Sequence, residues 1–343
     1  MDVRIQRDES DGGLVNERES AVVSTAGADG PSDIAVLVHE RLEVADGVMA
    51  LSLMPVPGGE MLPPWEPGAH IDVVIDDSVT RQYSLCGDPL DRGNYRIAIL
   101  RVADGRGGSQ LIHDIAAPGQ VLTIRSPRNH FELVPSDSYL FVAGGIGITP
   151  ILAMIDSVER RGAEWKLLYG GRTRNSMAFI DELAAYGNRV DIRPQDEFGH
   201  LDLVGALADT PEETVVYSCG PEPLLTALEA ACLQHGRAEP HSERFSPKTI
   251  EGASNNQFEV RLERSDRTLV VPAGISVLES LEFAGMAPAF TCREGTCGTC
   301  ETAVLSGRVD HRDSILSEAE KAANDTMMIC VSRCYGSRLV LDL

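Results

Sequence analysis

Two hydrophobic rhythms alternate along this chain, and its modules change where one rhythm gives way to the other. From Ile34 to about Leu133 the apolar residues come in short runs: IAVLVHERL, VMALSLMPV, HIDVVI, RQYSLCG, YRIAILRV and QVLTIRS. Turn formers such as PVPGG and EPGAH separate them. Many short strands punctuated by Gly, Pro and Asp predict an antiparallel β-barrel, with one short helix at SQLIHDIA. Near Ser136 the texture changes. SYLFVAGG, WKLLYGG, RVDIRP and TVVYSCG read as strands; PILAMIDSVERRG, SMAFIDELAAYG, DLVGALAD and PLLTALEAACLQHG read as the helices between them. Such alternation predicts βαβ units around a parallel, doubly wound sheet, closed by a strand near AEPHSERFS. SPKTIEGASNN is small and polar, as a linker is. After it come a hairpin (QFEVRLERSDRTLVVPAG), a helix (SVLESLEFAGM), a cysteine-rich loop and a last strand (SRLVLDL), an α+β pattern.

The organisation expected is a disordered leader over 1–33, an antiparallel β-barrel over 34–135 and an α/β domain over 136–245. A linker over 246–256 and an α+β domain over 257–343 complete it. Composition agrees: 343 residues at 43% hydrophobic and 24% charged can bury real cores. No run nears the roughly 18 apolar residues of a spanning helix, and MDVRIQRDESDGG lacks an apolar signal core, so a cytoplasmic setting is expected. Thirty Lys and Arg against 52 Asp and Glu give a net charge of −22, the wrong sign for nucleic acid or an anionic membrane. That charge suits docking on a basic protein surface, and solubility accounts for it equally well. Eight cysteines without a secretory signal point to metal ligands or reactive thiols rather than disulfides.

The sharpest chemical signal is Cys292-Arg-Glu-Gly-Thr-Cys297-Gly-Thr-Cys300, with Cys330 further on. C-x4-C-x2-C followed by a distant Cys is the plant-type spacing of a 2Fe–2S cluster. Gly295 and Gly298 allow the loop to wrap tightly. A structural zinc site is the alternative, although no second C-x2-C or H-x3–5-H pair accompanies the motif. Cys330 follows the apolar run MMI and is preferred as fourth ligand, with Cys334 left as a competitor.

Two further motifs suggest nucleotides. Arg81-Gln82-Tyr83-Ser84 sits on a barrel strand, and Gly105 to Ser109 opens the short helix. An Arg and a helix N-terminus can hold a phosphate, a Tyr can pack on a flavin ring, and a Ser hydroxyl can reach a ring nitrogen. Gly144-Gly145-Ile146-Gly147-Ile148-Thr149-Pro150 joins a buried strand to an amphipathic helix, where a pyrophosphate can approach closely. Ser218-Cys219-Gly220-Pro221 is a second strand-to-helix turn on the same sheet edge, and Arg172 ends the strand between them in sequence. The alternative reading of Cys219 is an inert core thiol.

In this order the motifs resemble the phthalate dioxygenase reductase and vanillate demethylase reductase family over about Ile34 to Leu343. The resemblance implies a β-barrel flavin domain, a doubly wound NAD(P)H domain and a β-grasp ferredoxin domain, with FMN, NADH and a 2Fe–2S cluster as cofactors. It implies an enzyme that passes electrons from NADH, one at a time, to a Rieske-type aromatic oxygenase or O-demethylase. Clusters of this type lie at about −400 mV, low enough to reduce a Rieske centre at about −150 mV or above. Carried over, Arg81, Gln82, Tyr83, Ser84, Ala98, Leu100, Gly107, Gly108 and Ser109 would hold the FMN. Gly145, Ile146, Gly147, Thr149, Arg172, Cys219, Gly220 and Pro221 would hold the nicotinamide nucleotide, and Phe245 would cover the flavin. Ser84 and Cys219 would touch the reacting atoms, and Cys292, Cys297, Cys300 and Cys330 would bind the cluster. Arg172 and Arg174 keep NADPH open, because LYGGRTRNS offers no acidic ribose partner.

Two other readings compete. One is a reductase for a P450 or another monooxygenase, since acceptor choice lives on the docking surface. The other is an iron–sulfur redox sensor, against which stand the absence of a DNA-reading helix or basic face and the presence of three redox motifs in one chain.

Overall fold

The computed structural model of the chain describes residues 33–76, 79–103, 105, 107–247 and 255–343. Nearly all of the expected leader and much of the expected linker lie outside the described residues. Asp33, placed in the leader by the sequence, opens the first strand, and its carboxylate accepts from Arg125 Nε at 3.1 Å.

The first module is a six-stranded antiparallel sheet. Its strands are β1 (Asp33–Ala45), β2 (Val48–Pro55), β3 (His70–Val74), β4 (Thr80–Ser84), β5 (Tyr95–Leu100) and β6 (Val121–Arg128), in the order β4-β3-β6-β1-β2-β5. Helix α1 (Gly108–Ile115) connects β5 to β6. Alternate residues such as Val36 and Val38, Leu51 and Leu53, and Ile97 and Ile99 point inward and are fully buried. A bridge between Leu85, just past β4, and Ile97 joins the two edge strands, so the sheet curls around this core.

The second module contains β7 (Ser138–Gly144), α2 (Ile148–Arg161), β8 (Glu164–Gly171), α3 (Ile180–Leu183), β9 (Val190–Pro194), α4 (Gln195–Phe198), α5 (Leu203–Ala208), β10 (Val215–Cys219), α6 (Glu222–Gln234) and β11 (His241–Glu243). Its five strands are parallel in the order β11-β10-β7-β8-β9. From Tyr139 on, β7 is apolar because both of its faces are covered. Phe141 packs with Ile151 and Ile155 of α2; Leu140 and Val142 pack with Leu207 of α5 and Leu228 of α6. Strand order reverses at β7, and in such sheets ligands bind at the carboxyl ends beside that reversal. The segment read as one helix, SMAFIDELAAYG, is instead a single turn, α3, followed by a 3-10 stretch. Left-handed Phe179 (φ 64°) and Gly187 (φ 59°) interrupt the helical path.

The third module contains β12 (Phe258–Leu262), β13 (Arg267–Val271), α7 (Val277–Phe283), β14 (Glu301–Ser306), β15 (Val309–Asp310), α8 (Glu318–Ala323), β16 (Thr326–Met328), β17 (Arg333–Cys334) and β18 (Arg338–Leu341). Five strands form a mixed sheet, β13-β12-β18-β14-β16, and β15 pairs with β17. A reciprocal capping box, Ser276 with Glu279, starts α7, which buries Val277, Leu278 and Leu281 against the sheet. Between α7 and β14 the chain forms neither helix nor strand, and here the three clustered cysteines stand. No helix among the described residues is long and apolar enough to cross a membrane.

Candidate functional site

All three modules contribute to one cavity of about 390 Å³. β4 supplies Arg81, Gln82, Tyr83 and Ser84; β5 supplies Ala98 and Leu100; the start of α1 supplies Gly108 and Ser109. Ile146 and Thr149 enter from the head of α2, Phe245 from the segment after β11, and Glu294 and Thr296 from the cysteine loop. Eleven residues anticipated from sequence therefore meet in one place.

On the wall from β4 and α1, a guanidinium meets a helix N-terminus. Gly107 takes a left-handed conformation (φ 79°) before α1, whose first turn has no side-chain cap. A Cβ on Gly108 would lie 2.4 Å from Arg81 Nε, so only glycine lets the guanidinium lie against that turn. A guanidinium beside uncapped helix N–H groups is a phosphate cradle. Ser109 Oγ accepts from Val102 N–H at 3.1 Å, pinning the entry to the helix. Ser84 Oγ is buried without a protein partner, an unmet polar group on the cavity wall. Burial pushes the Tyr83 phenol well above its ordinary range, so it stays neutral. His70, opposite Ser84 in the β3–β4 pair, is held neutral, its pKa lowered to about 3 by burial and then by Arg128 and His130.

The nucleotide-type loops interlock behind this wall. A Cβ on Gly147 would sit 2.2 Å from the Cys219 carbonyl oxygen, and one on Gly144 would sit 2.7 Å from Pro221 Cδ. Gly220 closes the same contact against Gly144. Gly145 is left-handed (φ 55°) with open space beside it, and the first turn of α2 carries no side-chain cap. Thr149 Oγ1 donates to the Ile146 carbonyl at 3.0 Å. Gly107, Gly145, Gly147, Gly220 and Pro221 shape these loops without lining the cavity. Cys219 is fully buried and reaches the cavity only through Glu243, its thiol 3.9 Å from Glu243 Oε2. Burial pushes the Cys219 thiol up, and pushes the Glu243 carboxyl up to about 8. Arg172 stands exposed beyond β8 and outside the cavity. Its neighbour Arg174 is engaged by Glu197 at 3.1 Å.

In the cysteine loop, Cys292 lies within hydrogen-bonding reach of Cys297 and Cys330, and Cys300 within reach of Cys330. The four sulfurs thus form one chain of neighbours, 297–292–330–300. The Cys292 thiol, accepting from both neighbours and from Glu294 N–H at 3.3 Å, is driven well below its usual range. Among the described residues no group of three or more His, Cys, Asp or Glu side chains is arranged to hold a single metal ion. Four neighbouring thiols on a C-x4-C-x2-C loop with a distant Cys fit the ligand set of a two-iron cluster. Gly295 and Gly298 are left-handed (φ 69° and 72°), and a Cβ on Gly298 would meet His130 Nε2 at 2.2 Å. Cys334 turns into the loop that follows it, its sulfur accepting from Gly336 N–H at 3.2 Å.

Sequence reasoning missed His70, Val102, Glu243, Arg244, Glu294 and Thr296 on the cavity wall. Two signals were available. Glu243 ends β11 only two residues before Phe245, close enough in sequence to share its wall. Glu294 and Thr296 lie inside the cysteine motif itself.

Comparison with known proteins gives the same outline. Residues 141–230 match the family described as the oxidoreductase NAD-binding domain, and residues 260–335 the 2Fe-2S iron-sulfur cluster binding domain. The phenoxybenzoate dioxygenase subunit beta of Ectopseudomonas oleovorans is 42% identical over 312 residues, which is 90% of this chain and 97% of that one. Phthalate dioxygenase reductase, a modular structure for electron transfer from pyridine nucleotides to a 2Fe–2S centre, aligns at TM-score 0.66 and 34% identity over 91% of this chain and 98% of its own. An intact type IV self-sufficient cytochrome P450 monooxygenase aligns at TM-score 0.84 and 43% identity over 91% of this chain, which spans 41% of that monooxygenase.

Proposed function

The chain belongs to the family of oxygenase reductases that includes phthalate dioxygenase reductase, and on that premise we propose how its residues carry electrons from NADH to an oxygenase partner. One observation carries the reading: a single cavity is walled by the Arg-Gln-Tyr-Ser strand, the head of the nucleotide helix and the cysteine loop. Donor, carrier and exit therefore share one site, as a short electron path requires.

FMN is the flavin that fits this wall. Arg81 and the first turn of α1 hold its phosphate, Tyr83 and Phe245 pack on the ring, and Ser84 offers it the otherwise unpartnered hydroxyl. The heads of α2 and the Cys219-Gly220-Pro221 turn hold the nicotinamide nucleotide, with Thr149 and Ile146 nearest the flavin. Cys292, Cys297, Cys300 and Cys330 hold the cluster. A bound flavin takes electrons from nicotinamide as a pair and releases them singly, and a 2Fe–2S cluster carries one at a time. The chain's own contribution is alignment, exclusion of water, and a neutral His70 and Tyr83 that place no charge against the ring. Arg174, engaged by Glu197, is not left to attract a 2′-phosphate, which supports NADH as donor. The acceptor is a Rieske-type oxygenase with a basic docking face, matched by the acidic charge of this chain.

The extent of the likeness to a P450 monooxygenase supports a second acceptor, a haem protein. An absorption spectrum of the purified protein, followed by anaerobic titration with NADH and separately NADPH, tests the core reading. Flavin bands and a broad reddish iron–sulfur absorption, both bleached by NADH at low concentration, are expected. A well-folded, cofactor-replete preparation without flavin would end the proposal; reduction of a P450 in preference to a Rieske protein would transfer it to the second acceptor.

A further inference from the structure

Asp72 in β3 is fully buried, and its carboxylate bridges two modules. Oδ1 accepts from Arg128 Nη2 at 2.7 Å and from Gln82 Nε2 at 3.2 Å, both within the barrel. Oδ2 accepts at 3.1 Å from Thr291 Oγ1, the residue before Cys292, and faces Arg125 Nη1 of the barrel at 4.0 Å. Thr291 Oγ1 in turn accepts from Thr299 Oγ1 at 3.2 Å, and Thr299 Oγ1 stands 3.3 Å from Cys297 Sγ. A row of polar contacts thus runs from a buried carboxylate of the first module to a cysteine sulfur of the third.

Counting protons fixes the direction of that row. A carboxylate paired with a guanidinium only accepts, and each threonine hydroxyl owns one proton. Thr291 gives its proton to Asp72, so toward Thr299 it can only accept. Thr299 therefore directs its own proton to Thr291 and turns a lone pair, not a donor, toward Cys297. We propose that Asp72 is a positioning residue: by orienting these two hydroxyls across the module boundary, it denies the Cys297 sulfur a donated hydrogen bond and keeps the reduction potential low. The inference rests on the proposed cluster at the four cysteines. Its physical basis is that hydrogen bonds to a ligand sulfur help set a cluster's potential, because they favour the extra electron.

The test is a redox titration of the holoprotein, followed by the electron paramagnetic resonance of the reduced cluster. Thr291→Val removes the acceptor of the Thr299 proton and leaves that proton free to turn to Cys297, so the potential rises. Asp72→Asn, which can donate where Asp72 accepts, allows the row to reverse and raises it too. Thr291→Ser keeps the hydroxyl and the wild-type potential. The double variant Thr291→Val with Thr299→Val has no proton to donate and returns to the wild-type value. An unchanged potential in Thr291→Val, or a rise that persists in the double variant, overturns the inference. Thr291→Val is nearly isosteric, so the test stands even where Asp72→Asn does not fold. A wild-type protein with no iron–sulfur signal overturns the proposed function itself, which separates the two failures, and the inference falls with it.

Discussion

The cysteine loop and the cavity beside it are built on opposite plans. Three of four proposed ligands occupy nine consecutive residues, Cys292 to Cys300, and two left-handed glycines bend the backbone around them. The cavity draws its wall from β3, β4, β5, the heads of α1 and α2, the segment after β11 and the cysteine loop. Coordination by thiolates is a short-range demand, which one loop can meet. Enclosing a ring, a phosphate and a second nucleotide is a long-range demand, which only the assembled modules can meet. A local site should fail completely when one atom is lost, whereas a distributed site should lose function by steps.

Cys297→Ser is the strongest test of that contrast. Cys297 is buried against Cys292, and replacing its sulfur removes one of the four proposed ligands. Electron delivery to cytochrome c or to an oxygenase should drop to background, while NADH-driven reduction of ferricyanide, taken from the cavity, stays largely intact. Parallel steady-state assays with the two acceptors decide it. Equal loss in both would mean the loop and the cavity are one functional unit.

The same contrast explains what the sequence could disclose. The C-x4-C-x2-C spacing was legible because its chemistry is contiguous, and β7 was legible because a strand covered on both faces must be apolar throughout. Arg81 and Ser84 were legible only through the order of the motifs along the chain, whereas the room that Gly108 leaves for the guanidinium emerged only in the fold. His70 was not legible, because its place opposite Ser84 is set by the β3–β4 register. Nor was Asp72, whose partners Arg128 and Thr291 lie 56 and 219 residues away in sequence. The helix expected over SMAFIDELAAYG failed on local backbone: nothing in its apolar spacing announces a left-handed Phe179.

Ser84→Ala should show the stepwise side. Its hydroxyl is the unpartnered polar atom of the barrel wall, and removing one aimed donor from a closed site costs roughly 10²-fold in rate. Stopped-flow bleaching of the flavin by NADH should slow by that order, with nicotinamide affinity and the iron–sulfur spectrum little changed. A rate within about threefold of wild type would remove Ser84 from the reacting atoms and leave it a wall residue.

Glu243→Gln gives the smallest effect and the most specific one, because it acts through pH. Burial holds this carboxyl at about 8, against an ordinary 4.5. No ion pair reaches it among the described residues, and its neighbour Arg244 is engaged by Glu222 at 2.9 Å and by Glu229. Unfolded, the carboxyl ionises near its ordinary value. Between the two values the folded chain binds more protons, so its stability falls as pH rises from about 4.5 to about 8 and levels off above. The amide of Glu243→Gln carries no such penalty. Thermal unfolding should therefore show the variant close to wild type near pH 5 and increasingly more stable than wild type toward pH 8. Among the described residues no hydrogen bond or ion pair joins the cysteine loop to this carboxyl, so the iron–sulfur spectrum should not follow the same profile. A constant offset across that window would place the carboxylate in contact with water at every pH, and the Cys219–Glu243 pair would then no longer belong to the closed side of the cavity.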